Sequence, residues 1–257
     1  MVWGIIEDLS ERRAKELIIE KQNKELKKLN ATKDKIFSII AHDLKNPFAA
    51  IIGFSDLLLE QIKNKNIEEI DEYAQIINQS SNKALDLLMN LMEWSQVQTG
   101  RMKFKPEHFE INTIVNEAIL LMTVSAEQKS IDISSTLSPG TQVYADKTMI
   151  SIVLRNLISN AIKFTQPHGK ITITSTVEQV ELTISIIDNG VGIPEEQVDM
   201  LFKIDKMSST LGTLQEKGTG LGLILCKEFI KQNNGKIWAE SMVEKGSNFS
   251  FSLPLHK

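Results

Sequence analysis

The sequence contains very little cysteine and no long apolar run, and each shortage excludes a class of protein. Cys226 is the single cysteine among 257 residues, which excludes an internal disulfide framework and fits a reducing cytosol. No stretch approaches the roughly 18 consecutive apolar residues that span a bilayer, so we expect no transmembrane segment. The first residues lack a basic region followed by an apolar run, so we expect no secretory signal.

A strong excess of charge of one sign is also absent. The 29 basic and 33 acidic side chains leave a formal net charge of −4, which argues against nucleic-acid binding as the main task. A nucleotide remains compatible with this charge, because backbone amides and a bound cation can hold its phosphates. Hydrophobic residues make up 42% of the chain, which favours a folded protein, and the length suits one or two domains.

Apolar residues recur at helical spacing near the N-terminus. From Ile19 to Ile40 they follow steps of seven, three, seven and four, which predicts one long helix over residues 5–40 that pairs as a parallel coiled coil. The charged residues around this seam fit a solvated coiled-coil face, and a membrane-surface or nucleic-acid patch is the alternative.

A helical hairpin is expected to follow. The apolar stripe continues to Ile62, breaks at residues 64–66 and resumes over residues 70–94. Each of the two helices is too apolar on one side to be stable alone. The pattern therefore favours a four-helix bundle built from two chains.

The pattern changes after Gly100 and predicts a mixed α+β sandwich. Asp146 is expected to cap a helix that ends near Phe164, and residues 203–217 are expected to form a mobile loop. Further helices are expected over residues 112–128, 194–202 and 220–234. Strands are expected over residues 131–136, 142–145, 171–177, 182–187, 236–240 and 248–253.

The sharpest local feature is the hexapeptide HDLKNP that begins at His42. At about 100° per residue from Ile40, the buried stripe falls within about 80°, His42 near about 200° and Asn46 near about 240°. The imidazole is therefore expected to point away from the stripe, on the same face as Asn46. Since the neighbouring Asp43 carboxylate can favour one tautomer, His42 suits a neutral nucleophile, and an ordinary surface histidine is the alternative.

A second motif places polar groups on one face of a predicted helix. Asn156, Asn160 and Lys163 are spaced by four and three residues, so their side chains share that face. Amide oxygens can ligate magnesium, and a lysine can offset phosphate charge. A merely solvated polar face is the alternative.

Two glycine-rich segments follow. Asp188 ends a predicted strand ahead of Gly190 and Gly192, which allow a ligand to approach the backbone, while the carboxylate can accept a hydrogen bond from an amine such as that of adenine. A plain turn is the alternative. Residues 218–223, GTGLGL, open a predicted helix, and glycines ahead of a helix N-terminus make an anion cradle.

In this order and spacing the motifs resemble one family, the sensor histidine kinases of two-component systems, over about residues 31–257. Residues 4–13 are also similar to the junction between a PAS sensor domain and its signalling helix. The resemblance rests on five segments: a phosphoacceptor box at 42–47, an Asn box at 156–165, a first Gly box at 188–192, a Phe box at 201–206 and a second Gly box at 218–223.

The resemblance implies an α+β chain with four parts. Residues 1–30 would be the end of a sensor domain and a signalling helix, and 31–100 a dimerisation and histidine phosphotransfer domain. Residues 101–106 would be a linker, and 107–257 a catalytic ATP-binding domain with the Bergerat fold of gyrases, chaperones and histidine kinases. We expect a cytoplasmic homodimer, and the cytoplasmic part of a larger sensor is one form that it can take.

The resemblance also implies a reaction. His42 would be phosphorylated from ATP and would pass the phosphoryl group to an aspartate of a response regulator receiver domain. Asp43 would orient or deprotonate His42, and Asn46 would position a water for dephosphorylation of the regulator. Asn160 would ligate Mg²⁺. The implied nucleotide-binding residues are Asn156, Asn160, Lys163, Phe164, Asp188, Gly190, Gly192, Lys203, Gly218, Thr219, Gly220, Leu221 and Gly222.

Two alternatives remain at this point. One is an ATPase of the related gyrase, chaperone and mismatch-repair type, which needs a carboxylate base on the Asn-box helix, where this chain has Arg155 and Asn156. The other is a degenerate kinase that serves as a dimeric scaffold, although no motif position is visibly broken. Lys203 stands where many kinases have arginine, and a lysine offers a point charge rather than a bidentate fork.

Overall fold

The computed structural model describes residues 2–64, 66, 69–98, 103–203, 212–214 and 220–256, which form two compact units, 1–87 and 88–257. The helices are α1 (Val2–Lys63), α2 (Ile70–Gln98), α3 (Ile111–Glu127), α4 (Lys147–Phe164), α5 (Glu195–Val198) and α6 (Gly222–Gln232). The strands are β1 (Glu107–Glu110), β2 (Asp132–Ser135), β3 (Gln142–Ala145), β4 (Lys170–Glu178), β5 (Glu181–Asp188), β6 (Ile237–Met242) and β7 (Gly246–Pro254).

The first unit is the predicted helical hairpin, made of α1 and most of α2. Ile40 of α1 is buried, as are Ala84 and Leu87 of α2. Near the turn between the helices, the rings of Phe54 and Tyr73 lie 5.6 Å apart, a distance typical of packed aromatic pairs. The apolar faces of both helices therefore supply the small core of this unit.

Much of the predicted apolar stripe stays exposed in the single chain. Phe48 is 51% exposed and Ile52 is 62% exposed. A second hairpin would cover such a surface, which is what a four-helix bundle requires. The homodimer and the coiled coil themselves stay predictions. None of the helices within the described ranges combines the length and the apolar content needed to cross a bilayer.

The second unit is built around a five-stranded sheet with strand order β2-β4-β5-β7-β6. The β2–β4 pair is parallel and the other pairs are antiparallel, while β1 and β3 form a separate antiparallel pair. Alternate residues such as Ile184 and Phe251, which face each other across β5 and β7, are fully buried. Helix α4 contacts α3, α6 and β5, so the predicted α+β sandwich is confirmed.

Several element bounds differ from the sequence prediction. Strand β1 was not predicted, because its four residues carry no alternating apolar pattern and it forms only by pairing with β3. Helix α5 is limited to four residues where nine were expected, and α6 begins at Gly222 rather than Gly220. Most of the loop expected over residues 203–217 lies outside the described residues.

Asp146 caps α4, as its position in the sequence predicts. Its Oδ1 accepts a hydrogen bond from the N–H of Met149 at 3.1 Å, and its Oδ2 accepts one from the N–H of Lys105 at 2.9 Å. The N–H of Asp146 donates to Oδ1 of Asn233 at 2.6 Å. The start of α4 is therefore tied both to the segment before β1 and to the end of α6.

Cys226 lies on the buried face of α6. Its Sγ is 3.9 Å from the carbonyl oxygen of Val153 on α4. Burial raises the pKa of the thiol. The group is therefore protonated and shielded by the packing of α6 on α4.

Candidate functional site

The histidine segment lies in the second half of α1. The backbone of His42 is helical, while its side chain lies outside the described part of the structure. Asp43 is half-buried, and Asn46, one turn after His42, is exposed. Pro47 follows inside the helix and supplies no N–H, so α1 has one hydrogen bond fewer here. Asn46 thus faces solvent as the helical spacing predicts, and the orientation of the imidazole stays a prediction.

Helix α4 carries the asparagine motif and packs against the start of α6. The amide nitrogen of Asn156 donates to the carbonyl of Ile152 at 3.0 Å. Its Oδ1 faces Gly222, where a Cβ atom would come within 2.5 Å. A larger residue at this first position of α6 would therefore displace the Asn156 amide. The structure thus brings the asparagine motif and the second glycine segment together.

Asn160 and Lys163 lie on the next turns of α4, and both are half-buried. The Asn160 amide makes no hydrogen bond within the described residues. The Lys163 ammonium lies 4.6 Å from the centroid of the Phe164 ring, within cation–π range. An amide oxygen and a lysine therefore stand on neighbouring turns, as the spacing predicts.

Asp188 ends β5 and is 5% exposed. Its Oδ1 accepts hydrogen bonds from the N–H of Gly190 at 2.9 Å and from the N–H of Ser247 at 3.2 Å. Burial raises the pKa of this carboxyl above its usual value, and the two hydrogen bonds oppose that rise. Oδ2 makes no hydrogen bond within the described residues, so one oxygen remains as an acceptor for a ligand.

The glycine loop after β5 packs tightly against α4 and β6. The N–H of Val191 donates to the carbonyl of Phe164, the last residue of α4, at 3.1 Å. A Cβ atom on Gly190 would collide with that same carbonyl oxygen. Gly192 has a φ of +70°, and a Cβ atom there would collide with the backbone of Met242. Both positions therefore require glycine, and the loop is held against the carboxyl end of α4.

The second glycine segment leads into α6. Gly220 has a φ of 70°, Leu221 is buried and Gly222 is the first helical residue. Leu221, the N-cap, makes no side-chain hydrogen bond to the first turn, and this turn contains no acidic residue. The N-cap side chain therefore leaves the N–H groups at the start of α6 unbonded within the described part of the chain, and a helix N-terminus of this kind suits an anion.

Three of the predicted nucleotide contacts are not brought into this arrangement. Lys203 is exposed after α5, and the chain that follows it is outside the described residues. Gly218 and Thr219 lie outside the described residues as well. Their roles stay predictions from the sequence.

Lys129 borders the site, and the sequence analysis missed it. It is 4% exposed, and its ammonium donates to the last turn of α4 and to Thr213. No local pattern singles it out, since a lysine between a helix and a strand is usually exposed. Lys129 reaches the last turn of α4, the helix that carries the asparagine motif, because α3 packs against α4.

The arrangement fits an adenine nucleotide and its metal ion. Oδ2 of Asp188 can accept from an exocyclic amine, while Lys163 and the start of α6 suit phosphates. Within the described residues, no three His, Cys, Asp or Glu side chains cluster as a metal site. Mg²⁺ on a nucleotide needs few protein ligands, because phosphate and water oxygens supply most positions, and the Asn160 amide oxygen suits a remaining one.

Two family models match the chain. The His Kinase A (phospho-acceptor) domain matches residues 32–100, which include the HDLKNP segment. The histidine kinase-, DNA gyrase B- and HSP90-like ATPase family matches residues 145–257, which include α4, Asp188 and both glycine segments.

Relatives that match nearly the whole chain include a histidine protein kinase and a sensory kinase. Histidine protein kinase DivJ of Caulobacter vibrioides is 29% identical, over 98% of this chain and 42% of its own length. The adaptive-response sensory kinase SasA of Gloeothece citriformis is 30% identical, over 93% of this chain and 62% of its own length. The chain thus spans less than two thirds of the length of these relatives.

Solved structures match as well. The catalytic domain of histidine kinase ThkA, in a nucleotide-free form, is 34% identical with a TM-score of 0.53 and is covered over 100% of its length by 61% of this chain. The complex of ThkA with response regulator protein TrrA matches with 27% identity and a TM-score of 0.65, over 85% of this chain and 60% of that chain.

Proposed function

Because the chain belongs to the sensor histidine kinases of two-component systems, we propose that it transfers the terminal phosphoryl group of ATP to His42 and then to an aspartate of a response regulator. In this proposal residues 31–100 are the dimerisation and phosphotransfer domain and 107–257 the catalytic domain. Residues 101–106 link them, and residues 1–30 carry the signalling helix.

One observation carries the proposal: three separate sequence motifs meet on α4. Asn156 contacts the first residue of α6, and Phe164 binds the loop that follows Asp188. The groups that these contacts bring together are an amine acceptor, an amide, a cation and a helix N-terminus, which together suit a nucleoside triphosphate. The HDLKNP segment on α1 supplies a nucleophile that a simple ATPase of this fold does not need.

On the nucleotide side, each proposed role follows from the position of the group. Asp188 accepts a hydrogen bond from the adenine amine through Oδ2, and Gly190 and Gly192 let the base and the sugar lie against the loop. Lys163 offsets phosphate charge. When bound, Mg²⁺ held by Asn160 neutralises charge on the phosphates, which is the main requirement of phosphoryl transfer.

At His42, the chemistry is a nucleophilic substitution at phosphorus. A neutral imidazole nitrogen attacks the terminal phosphorus with its lone pair, and the bond from that phosphorus to the bridging oxygen breaks, so ADP leaves. The proton on the other ring nitrogen is held or accepted by Asp43. Transfer to an aspartate carboxylate of the regulator then restores the neutral imidazole. The related kinase ThkA forms a complex with a response regulator, which supports this choice of partner.

A labelling experiment tests the proposal. Incubation with γ-labelled ATP and Mg²⁺ is expected to give an acid-labile, base-stable label on the protein that is lost in His42→Gln. His256→Gln, a change at an exposed histidine near the C-terminus, is the matched control and should keep the label. Free phosphate without protein label would instead indicate an ATPase, and neither product would indicate a scaffold.

We further propose that the protein dephosphorylates its regulator. The exposed amide of Asn46, one turn after His42, supports this proposal because it can hold a water on the face of α1 that bears His42. Asn46→Ala should lose phosphatase activity toward a phosphorylated receiver domain and keep autophosphorylation. Unchanged phosphatase activity in this variant would contradict the role of Asn46.

A further inference from the structure

Lys129 is a cation buried beside the proposed nucleotide pocket. Lysine side chains are seldom buried to this extent unless their charge is compensated, and only 4% of Lys129 is exposed. The turn after α3 directs it inward, since the N–H groups of Lys129 and Ile131 both donate to the Ala126 carbonyl and Ser130 adopts a φ of 53°.

Two of its contacts satisfy the carboxyl end of α4. The ammonium donates to the carbonyl oxygens of Ile162 and Lys163, both at 3.0 Å. The last carbonyls of a helix have no donor within the helix, and a cation there is favoured by the helix dipole. Lys129 thus stabilises the turn that carries Lys163 and Phe164.

A further contact of the Lys129 ammonium reaches a different segment of the chain. The ammonium donates to Oγ1 of Thr213 at 2.8 Å. The Thr213 N–H donates to the Lys163 carbonyl at 3.1 Å, and its hydroxyl lies 3.2 Å from that carbonyl and 3.0 Å from the carbonyl of Thr165. The backbone of Lys163 is therefore held from two sides, by Lys129 and by Thr213.

We propose that Lys129 is a positioning residue for nucleotide binding, because its buried ammonium joins Thr213 to the end of α4 and so fixes the Lys163 side chain at the phosphates. This inference rests on the proposed function. In this inference Lys129 does not contact the nucleotide. Its effect on nucleotide affinity depends on the position of Lys163.

Two substitutions separate positioning from simple stabilisation. Thr213→Val removes the hydroxyl and leaves the Lys129 contacts with α4, whereas Lys129→Met removes the ammonium and with it the bonds both to α4 and to Thr213. We expect the Kd of the full chain for trinitrophenyl-ATP with Mg²⁺ to rise about tenfold in each variant, the range expected for a lost hydrogen bond to a charged group. The two effects should not add fully in the double variant, because both changes remove the bond between Lys129 and Thr213.

Thr123→Val is the matched control. Among the residues that the structure describes, its hydroxyl bonds only the carbonyl of Ile119 within α3, so the Kd should stay unchanged. A Kd that is unchanged in Thr213→Val, or effects that add in the double variant, would overturn the positioning role even if Lys129→Met lowered the unfolding temperature. Normal binding by all variants would overturn only this inference, whereas no binding by the unsubstituted chain would overturn the proposed function together with it.

Discussion

Asp188 divides its two carboxylate oxygens between structure and binding. Oδ1 holds the loop through two backbone N–H groups, and Oδ2 keeps its acceptor capacity. A carboxylate that is almost fully buried is costly unless its oxygens are hydrogen-bonded. A ligand amine would complete that bonding, so the nucleotide and the local fold support one another at this residue.

An isosteric change at this position tests the binding role. Asp188→Asn keeps an oxygen for the two backbone N–H groups but presents an NH₂ group to the adenine amine. Nucleotide affinity is therefore expected to fall at least about tenfold, or about 1.4 kcal/mol, in a fluorescence titration. The unfolding temperature at neutral pH should not fall, because a buried charge is removed. Normal affinity in this variant would contradict the assignment of Asp188.

The pH dependence of stability has a definite sign here. Burial raises the pKa of Asp188, so the folded state favours the protonated form. The stability contributed by Asp188 is then greatest below the usual pKa of an aspartate, about 3.9, and is lost as the pH rises through the raised value. Urea unfolding at a series of pH values should show this trend in the unsubstituted chain and less of it in Asp188→Asn. Identical profiles would contradict the raised pKa.

The sequence predicts site residues where the chemistry follows a local pattern. Asp188, Gly190 and Gly192 are adjacent in the chain, so their proximity needs no tertiary information. Lys129 and Thr213 are far apart in sequence, and they meet because each binds carbonyl groups at the end of α4. No spacing rule predicts such a contact.

Among the elements, α4 connects most of the site. Its first turn is capped by Asp146, its middle carries Asn156 and Asn160, and its last carbonyls are bound by other parts of the chain. Fraying of α4 at either end would therefore displace several of the proposed nucleotide-binding side chains together.

Asp146→Ala tests the capped end of this element. The change removes the bonds to the N–H groups of Met149 and Lys105, and we expect the free energy of unfolding to fall by about 1–3 kcal/mol. Asp146→Asn keeps one amide oxygen for Met149 and should lose less. Thr148→Ala, at an exposed neighbouring position, is the control and should change little. Equal stability of all three variants in urea unfolding would contradict the capping role.

Element type followed from periodicity for α4, β4 and β5, whose apolar spacing is regular over many residues. Strand β1 could not be predicted, because its four residues carry no alternating apolar pattern and its partner β3 lies more than 30 positions later in the chain, with Glu107 paired to Ala145. Helix α5 ends earlier than the sequence predicts for a similar reason. Whether a single helical turn continues depends on tertiary contacts and not on its own short sequence.

For the whole molecule, the exposed apolar face of the first unit supports assembly of two chains. Ile52→Glu places a charge on this face and is expected to convert a dimer into a monomer of 28.9 kDa, measured by light scattering. Lys63→Gln changes the charge by the same amount at the end of α1 and should leave the dimer intact. Nucleotide binding should persist in both variants. A monomeric unsubstituted chain would contradict the bundle.

The order of the motifs along the chain predicts the two-part organisation, since a helical hairpin is followed by a segment of mixed strands and helices. The number of chains in the assembly is not encoded in that order. It depends on a surface that one chain leaves uncovered, such as the exposed Phe48.

The packing of Cys226 makes the protein a convenient host for spectroscopic probes. Its thiol is enclosed between α6 and α4, so maleimide dyes and spin labels should react with an introduced surface cysteine and leave the native one untouched. Distances between the hairpin and the nucleotide domain become measurable without first replacing the only native thiol. Slow modification of Cys226 itself would then report how often these two helices separate.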